Sequence, residues 1–290
     1  MTWVDAVVQG ILTGGYYALF ACGLSLMFGV MGVINLAHGD LAVIAAYVAI
    51  TIMPVTHLDG QLVFVVVVPL FALGGYVLQR TVLQASLDRD PFTTLLVTFG
   101  LSVVIENALL EAFSSNSQSV SIGAALFDAW NVSSQISISY FSLVIFAVAV
   151  VVLASLQLFL SRTGTGRMIR AVADDREAAQ LAGANYRHIF GIAAAIALAT
   201  VAVAGIASGV LSGFTPTSGT SNLLFAFEAV VIGGIGSLWG TLVGGIVLGV
   251  AQEIGAQINP AYQILAGHLV FLAVLAVRPS GLFGVRAAAA

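Results

Sequence analysis

Uninterrupted apolar segments recur along this chain, and they constrain its fold more than any other feature. They cover roughly residues 4–28, 41–53, 62–78, 92–110, 140–160, 189–211, 224–254 and 264–277. A helix crossing a bilayer needs about 20 mainly apolar residues. In lipid the backbone must satisfy its own hydrogen bonds, which restricts the spanning structures to helices and closed barrels. The predicted fold is therefore an all-α, polytopic membrane protein with about 8–9 transmembrane helical segments, some broken by glycine. Composition agrees: 60% of the residues are hydrophobic and only 8% charged, against about 25% charged in soluble domains. No basic nucleic-acid face is present. Residues 1–10, MTWVDAVVQG, lack the positive n-region of a cleavable signal, so the first run is expected to stay as a span. Cys22, the single cysteine, lies in an apolar run and reads as a small buried hydrophobe.

The run 224–254 is too long for one crossing. As a straight helix it would measure about 46 Å, against a hydrocarbon core of about 30 Å. Gly233, Gly234 and Gly236 stand in its middle. A short helix, a glycine break and a second helix are expected, which makes eight long runs into nine helical pieces. Glycine also repeats at four-residue intervals, at Gly205, Gly209 and Gly213 and at Gly236, Gly240 and Gly244. Such ladders let helices approach closely.

Orientation follows from arginine, because positive residues favour the cytoplasmic side. The segments with Arg80 and Arg89, with Arg162–Arg187, and with Arg278 and Arg286 are expected inside. Residues 56–60, 114–139 and 213–222 carry no arginine and are expected outside. Three crossings after residue 222 return the chain to an inner tail, and the N-terminus falls outside if residues 31–40 form an inner turn. Trp130 and Tyr140 read as interfacial aromatics. The long outer loop is either a landing surface for a soluble protein or an idle connection.

Five of the nine arginines fall between Arg162 and Arg187. Inside this segment Asp174 is the expected N-cap, with Glu177 three residues later as in a capping box, and Gly183 the expected C′ glycine. The helix so enclosed is about eight residues long, with Ala178, Ala179, Leu181 and Ala182 as its apolar face. An isolated helix this short is marginal in water, so it must dock on something. Its arginines serve either to fix topology or to dock a soluble partner.

Ionisable groups at membrane depth cost about 2.5–3.5 kcal/mol or more at the centre. Asn35, His38 and Asp40 interrupt an apolar run. Asp40 is expected to cap a helix beginning at Leu41, which leaves residues 35–39 as irregular backbone lining a translocation path or forming an ordinary turn. Glu228, beside Gly233, Gly234 and Gly236, is the second path candidate. Glu253 and Glu111 read as interfacial, Glu106 and Asn107 as packed between helices. His38 and Asp40 invite an acid–base reading. No third group is placed by sequence, no H-E-x-x-H occurs, and IASG at residues 206–209 lacks G-x-S-x-G. A metal site and an enzyme are not expected. A stand-alone secondary transporter, coupled through Glu228, Glu106 or Asp40, is the other reading the residues permit.

Residues 166–185, GRMIRAVADDREAAQLAGAN, resemble the cytoplasmic coupling segment of permeases of ATP-binding-cassette (ABC) importers for branched-chain amino acids, the LivH type. GVINLAHGDLAVIAAY within residues 29–47, AFEAVVIGGIGSLWGTLVGG at 226–245 and RPSGLFG at 278–284 resemble the same family, in its order. Glu228 departs from it, standing where that family usually carries a small or apolar residue. The resemblance implies one transmembrane permease domain over residues 1–290, with a cytoplasmic coupling loop at about 161–187. The coupling residues are then Gly166, Arg167, Arg170, Asp174, Asp175, Glu177, Ala178, Ala179, Leu181 and Gly183. It also implies ABC ATPase subunits, a second related permease, a periplasmic or extracellular solute-binding protein and the lipid of a bacterial inner membrane as partners. Branched-chain or other hydrophobic amino acids are the implied solute, with urea or short amides as the alternative. The chain has no lysine, and a G-x-x-x-x-G-K-[ST] phosphate loop requires one. ATP is accordingly expected to be used by partner subunits, with no cofactor bound by this chain.

Overall fold

The computed structural model describes residues 3–56, 62–121, 129–133 and 136–284. Arg286 and most of the expected turn at 56–60 lie outside the described residues, as does part of the loop at 114–139. Among the described residues twelve α-helices follow one another: α1 (Trp3–Met31), α2 (His38–Thr56), α3 (Val63–Leu78), α4 (Gln84–Leu87), α5 (Pro91–Phe113), α6 (Tyr140–Arg162), α7 (Gly164–Asp174), α8 (Arg176–Leu181), α9 (Tyr186–Leu211), α10 (Ser218–Gly233), α11 (Leu238–Ile258) and α12 (Gln263–Val277). A π-helical turn, Gln79–Leu83, joins α3 to α4, and a two-stranded antiparallel hairpin, β1 (Ala129–Ser133) and β2 (Ile136–Ser139), precedes α6. Seven described helical stretches are long and apolar enough to cross a membrane, among them α3 continued through the π-turn and α4 (Val63–Leu87) and α12 with the turn before it (Pro260–Val277), while His38–Pro54 of α2 and α10 are shorter apolar helices. The glycine break falls where expected, with α10 ending at Gly233 and α11 beginning at Leu238. The helix α7 was not expected; its exposed arginines hide the apolar spacing of Ile169 and Val172.

The chain forms two compact units. One contains residues 1–25, 122–153 and 224–290, the other residues 26–121 and 154–223.

In the second unit α9 is the central helix, buried along most of its length. Its small residues admit close neighbours: Gly205 lies against the Ala42 backbone of α2, and Gly75 of α3 against Ala194. Met27, Leu83 and Ala197 pack together beneath. The arginine-bearing segments meet at one end, where Asp88 holds Arg176 and Arg187. At the other end Gln118 and Phe214 exchange backbone hydrogen bonds of 2.8 Å in both directions. Tyr47 stacks there on Phe113 and meets Phe214 edge-on.

In the first unit α1 and α11 form a glycine seam. A Cβ on Gly14 would sit 2.7 Å from Gly245 O and Ile246 N, and one on Gly249 2.7 Å from Gly14 N. Helix–helix association in lipid depends on such contact, since apolar burial gives no drive there. Beyond α12, the tail returns to the glycine break. Leu282 N–H donates to Ile232 O at 2.8 Å and Phe283 N–H to Gly233 O at 3.0 Å. These two carbonyls are among the last four of α10, which lack partners within the helix. Gly234 (φ +102°) and Gly281 (φ +76°) supply the left-handed backbone this hook requires.

Candidate translocation and coupling sites

Asp40 does not cap α2. The helix begins two residues earlier, at His38. Asn35 shapes the turn before it: its Oδ1 accepts from Ala37 N–H at 3.0 Å and its carbonyl from His38 N–H at 3.2 Å. An asparagine side chain can close such a turn on its own backbone, which leaves Asp40 in the first helical turn, free for another partner. That partner is Ser102 of α5, whose hydroxyl donates to Asp40 Oδ2. Ser102 is eleven residues from Pro91 and eleven from Phe113, about 16 Å from either end of α5. Asp40 therefore sits midway along a spanning helix. Residues 32–37, which lead to α2, are non-helical.

A second helix starts at the same level. The backbone of Gly39 packs on Gly219 and Leu223, and a Cβ on Gly219 would lie 2.7 Å from Asp40 N. The first turns of α2 and α10 thus lie side by side, both partially positive ends by virtue of their unpaired N–H groups. Asn35, His38 and Asp40 are each 1% exposed or less. Asn35 Nδ2 and Asp40 Oδ1 have no hydrogen-bond partner among the described residues. Helices that start within the membrane, with polar groups at their first turns, are the usual construction of a transporter's solute path.

Glu228 and the glycine break belong to the first unit. Glu228 is 2% exposed, and its Oε1 lies 2.6 Å from His268 Nδ1 of α12. Gly233 packs on the Gly240 backbone, so α10 and α11 nearly touch across the break. Gly234 and Gly236 (φ +81°) shape the turn between them. Both bend the chain, Gly234 meets the tail at Gly284, and neither holds a polar side chain.

The coupling segment is two helices. Thr163 caps α7, its Oγ1 accepting from Gly166 N–H at 2.9 Å. Gly166 packs on the backbone of Phe159 and Leu160, and Ile169 and Val172 are buried, while Arg167, Arg170 and Asp174 face solvent. The expected cap is displaced by one residue: Asp175, not Asp174, has extended backbone and accepts from Glu177 N–H and Ala178 N–H, both at 2.9 Å. Asp174 ends α7 instead. The far end of α8 is as expected. Gly183 has φ +90°, its N–H donates to Gln180 O, and Ala184 N–H donates to Ala179 O, both at 2.9 Å, which is the double hydrogen bond of a Schellman cap. Only six residues are helical. Ala179 is buried, and Leu181 is 91% exposed, so the predicted apolar face is split: one residue anchors the helix and one projects from it.

Asp88 ties this segment to the preceding loop. It accepts from Arg176 Nη2 (2.7 Å), Tyr186 Oη (3.1 Å), Gln84 Nε2 (2.9 Å) and Arg187 Nη2 (3.1 Å). The Arg176 guanidinium also lies over the Tyr186 ring, 3.7 Å from its centre. Partial desolvation pushes the Asp88 carboxyl up, but these hydrogen bonds and the Arg187 charge outweigh it and hold the group below the ordinary carboxylate range. A cavity of about 450 Å³ opens beside this clasp, walled by Met31, Leu87, Val172, Phe190 and Arg176. Ser102, Asp88 and His268 were all missed in the sequence. Each is an ordinary residue in its own helix or loop, and only the fold brings it to its partner. Among the described residues no group of three or more His, Cys, Asp or Glu side chains could hold a metal ion.

Discontinuous helices carrying buried polar groups, together with a capped helical pair between two spans, define a multi-span transport protein of the permease class. The family described as "Branched-chain amino acid transport system / permease component" matches residues 6–275. The chain belongs to this family. It is 31% identical to the high-affinity branched-chain amino acid transport system permease protein BraD of Pseudomonas aeruginosa, over 97% of this chain and 96% of that one. It is 28% identical to the permease protein LivH of Escherichia coli, with the same coverage. The probable branched-chain amino acid transport permease protein LivH of Methanocaldococcus jannaschii shares 24%, over 96% and 92%.

Proposed function

We propose that this chain is the membrane-spanning subunit of an ATP-driven importer that carries branched-chain amino acids across a bacterial inner membrane. The observation that carries the reading is the clasped α7–α8 pair in a chain of this family. A helix of six residues capped at both ends, buried through Ala179 and offering Leu181 to solvent, is built to be pushed by another protein. With no lysine for a phosphate loop, the energy of ATP enters through separate ATPase subunits that dock on this surface. A second related permease and an external solute-binding protein complete the assembly, and the binding protein makes most of the solute choice.

Motion at α8 is passed to α9 through Arg176, Asp88 and Tyr186, and along α9 to α2, which packs on it at Gly205. The first turns of α2 and α10 then exchange access to the two sides, with Asn35, His38 and Asp40 on one stretch of the path and Glu228 and Gly233–Gly236 on another. Reconstitution tests this. The chain with its ATPases, second permease and binding protein should take up leucine in liposomes only with ATP inside the nucleotide-accessible compartment. Uphill uptake by the chain alone, without nucleotide, refutes it.

A further inference from the structure

We propose that Tyr17, Gln252, Glu228 and His268 form a buried subsite that grips the charged backbone of a free amino acid, Glu228 taking the α-ammonium and Gln252 the α-carboxylate. The inference rests on the reading of the chain as an amino-acid permease and names where, in the first unit, that solute is held.

Four helices supply the cluster. Tyr17 comes from α1, Glu228 from α10, Gln252 from α11 and His268 from α12. Glu228 is 2% and Gln252 1% exposed. Each spends one of its polar atoms on a protein neighbour. Glu228 Oε1 is held by His268 Nδ1 at 2.6 Å, and Gln252 Oε1 accepts from Tyr17 Oη at 2.5 Å. Each has the other atom left over: Glu228 Oε2 and Gln252 Nε2 are buried without a hydrogen-bond partner among the described residues. Leaving such atoms unpaired is costly, the more so for a charged group. The Gln252 amide turns its oxygen to the Tyr17 hydroxyl and its NH2 away from it.

The two spare atoms belong to one neighbourhood. Gln252 packs on Gly267, where a Cβ would come within 3.0 Å of Nε2, and the next residue is His268. Phe225 bridges the pairs, its ring 5.2 Å from that of Tyr17 and 6.3 Å from that of His268, and gives an aliphatic side chain an apolar wall. When Glu228 is ionised the spare acceptor is anionic, while the spare donor is neutral. A lone cation would satisfy Glu228 and be repelled by the Gln252 NH2. A lone anion would be repelled by Glu228. A zwitterion satisfies both, and its ammonium makes a charge-assisted bond to the carboxylate, about twice as strong as a neutral one. Glu228 and Gln252 are kept polar inside a membrane helix bundle, where such groups are expensive, and this ligand supplies the reason.

The test uses the complete assembly in nanodiscs, without nucleotide or binding protein, and measures binding of tritiated leucine. Leucinamide, isocaproate and isocaproamide serve as competitors. Leucine is expected to compete best, leucinamide at least tenfold less well, and isocaproate not at all. E228Q should weaken leucine binding at least tenfold. Q252M should weaken it about fivefold while leaving leucinamide unchanged, so each end of the site is probed by its own variant. Wild-type leucine binding in both variants, or isocaproamide competing as well as leucine, overturns the proposal in favour of a site for water or a neutral amide. So does an absence of binding if both variants also take up leucine at the wild-type rate with the binding protein present. Failure of the wild-type assembly to take up leucine at all overturns the functional reading itself, and the subsite with it.

Discussion

Asp88 Oδ1 and Arg176 Nη2 lie 2.7 Å apart, and this contact fastens the first residue of α8 to the loop that follows α4. An exposed ion pair alone contributes about 0.2–1 kcal/mol. Here one carboxylate gathers two arginines, a tyrosine and a glutamine, so a single substitution loosens the whole junction. Asp88→Asn is expected to leave the permease inserted and to lower solute-stimulated ATP hydrolysis about tenfold. Its effect is read by comparing stimulated with basal hydrolysis in proteoliposomes.

The same carboxylate sets a pH limit. Its folded-state pKa is depressed, so its contribution is complete above the ordinary aspartate value of about 3.9. It is lost as pH falls through the lower folded value. Coupling through this junction should therefore be flat from neutral pH down to about pH 5 and should not titrate near pH 6–7. Wild type and Asp88→Asn should give parallel pH profiles of stimulated hydrolysis over that range.

Ala179 N–H donates to Asp175 O at 3.1 Å, and Ala179 is the buried residue of α8. Ala179→Pro removes that bond and clashes with the preceding turn, at about 3 kcal/mol or more. Stimulated hydrolysis should vanish while membrane insertion and yield are kept. Leu181→Ser tests the opposite face: the helix should persist, and co-purification of the ATPase subunits should fall about tenfold.

Ser102→Ala leaves Asp40 with no hydrogen-bond partner on either oxygen among the described residues. Removing a hydrogen bond to a buried carboxylate costs about 1.5–3 kcal/mol. Transport should drop at least tenfold, and Ser102→Thr, which keeps the hydroxyl, should recover most of it. Uptake measured at matched expression distinguishes the two.

Gly14→Val should separate α1 from α11, because even a Cβ would stand 2.7 Å from the facing backbone. The expected result is a lower yield of monodisperse protein and a melting midpoint several degrees lower. Gly74→Ala, where a Cβ meets nothing within 4 Å, is the control.

Most of the helical layout was legible because apolar length and glycine breaks act locally. The α10–α11 break at Gly233–Gly236 and the Gly183 cap are cases where the residue itself dictates the backbone. The α1–α11 seam was half legible. Gly10 and Gly14 are four apart, as are Gly245 and Gly249, but only the fold sets the two pairs face to face. Asp40 was misread because a carboxylate before an apolar run resembles a cap; Asn35, five residues earlier, had already closed the turn. The displaced cap at Asp175 has the same origin, two adjacent aspartates of which only one has extended backbone. Glu228 was visible as an anomaly, whereas its partner His268 lies on another helix.

The hook of Leu282 and Phe283 onto Ile232 and Gly233 has a consequence for biogenesis. Those carbonyls emerge from the ribosome about 50 residues before the amides that will satisfy them. Until then the break in α10–α11 is a polar gap held open in the translocon or bilayer. Ribosome stalling between the two segments should therefore yield nascent chains that membrane proteases recognise, and the quality of assembly is checked, in effect, by whether the knot is tied.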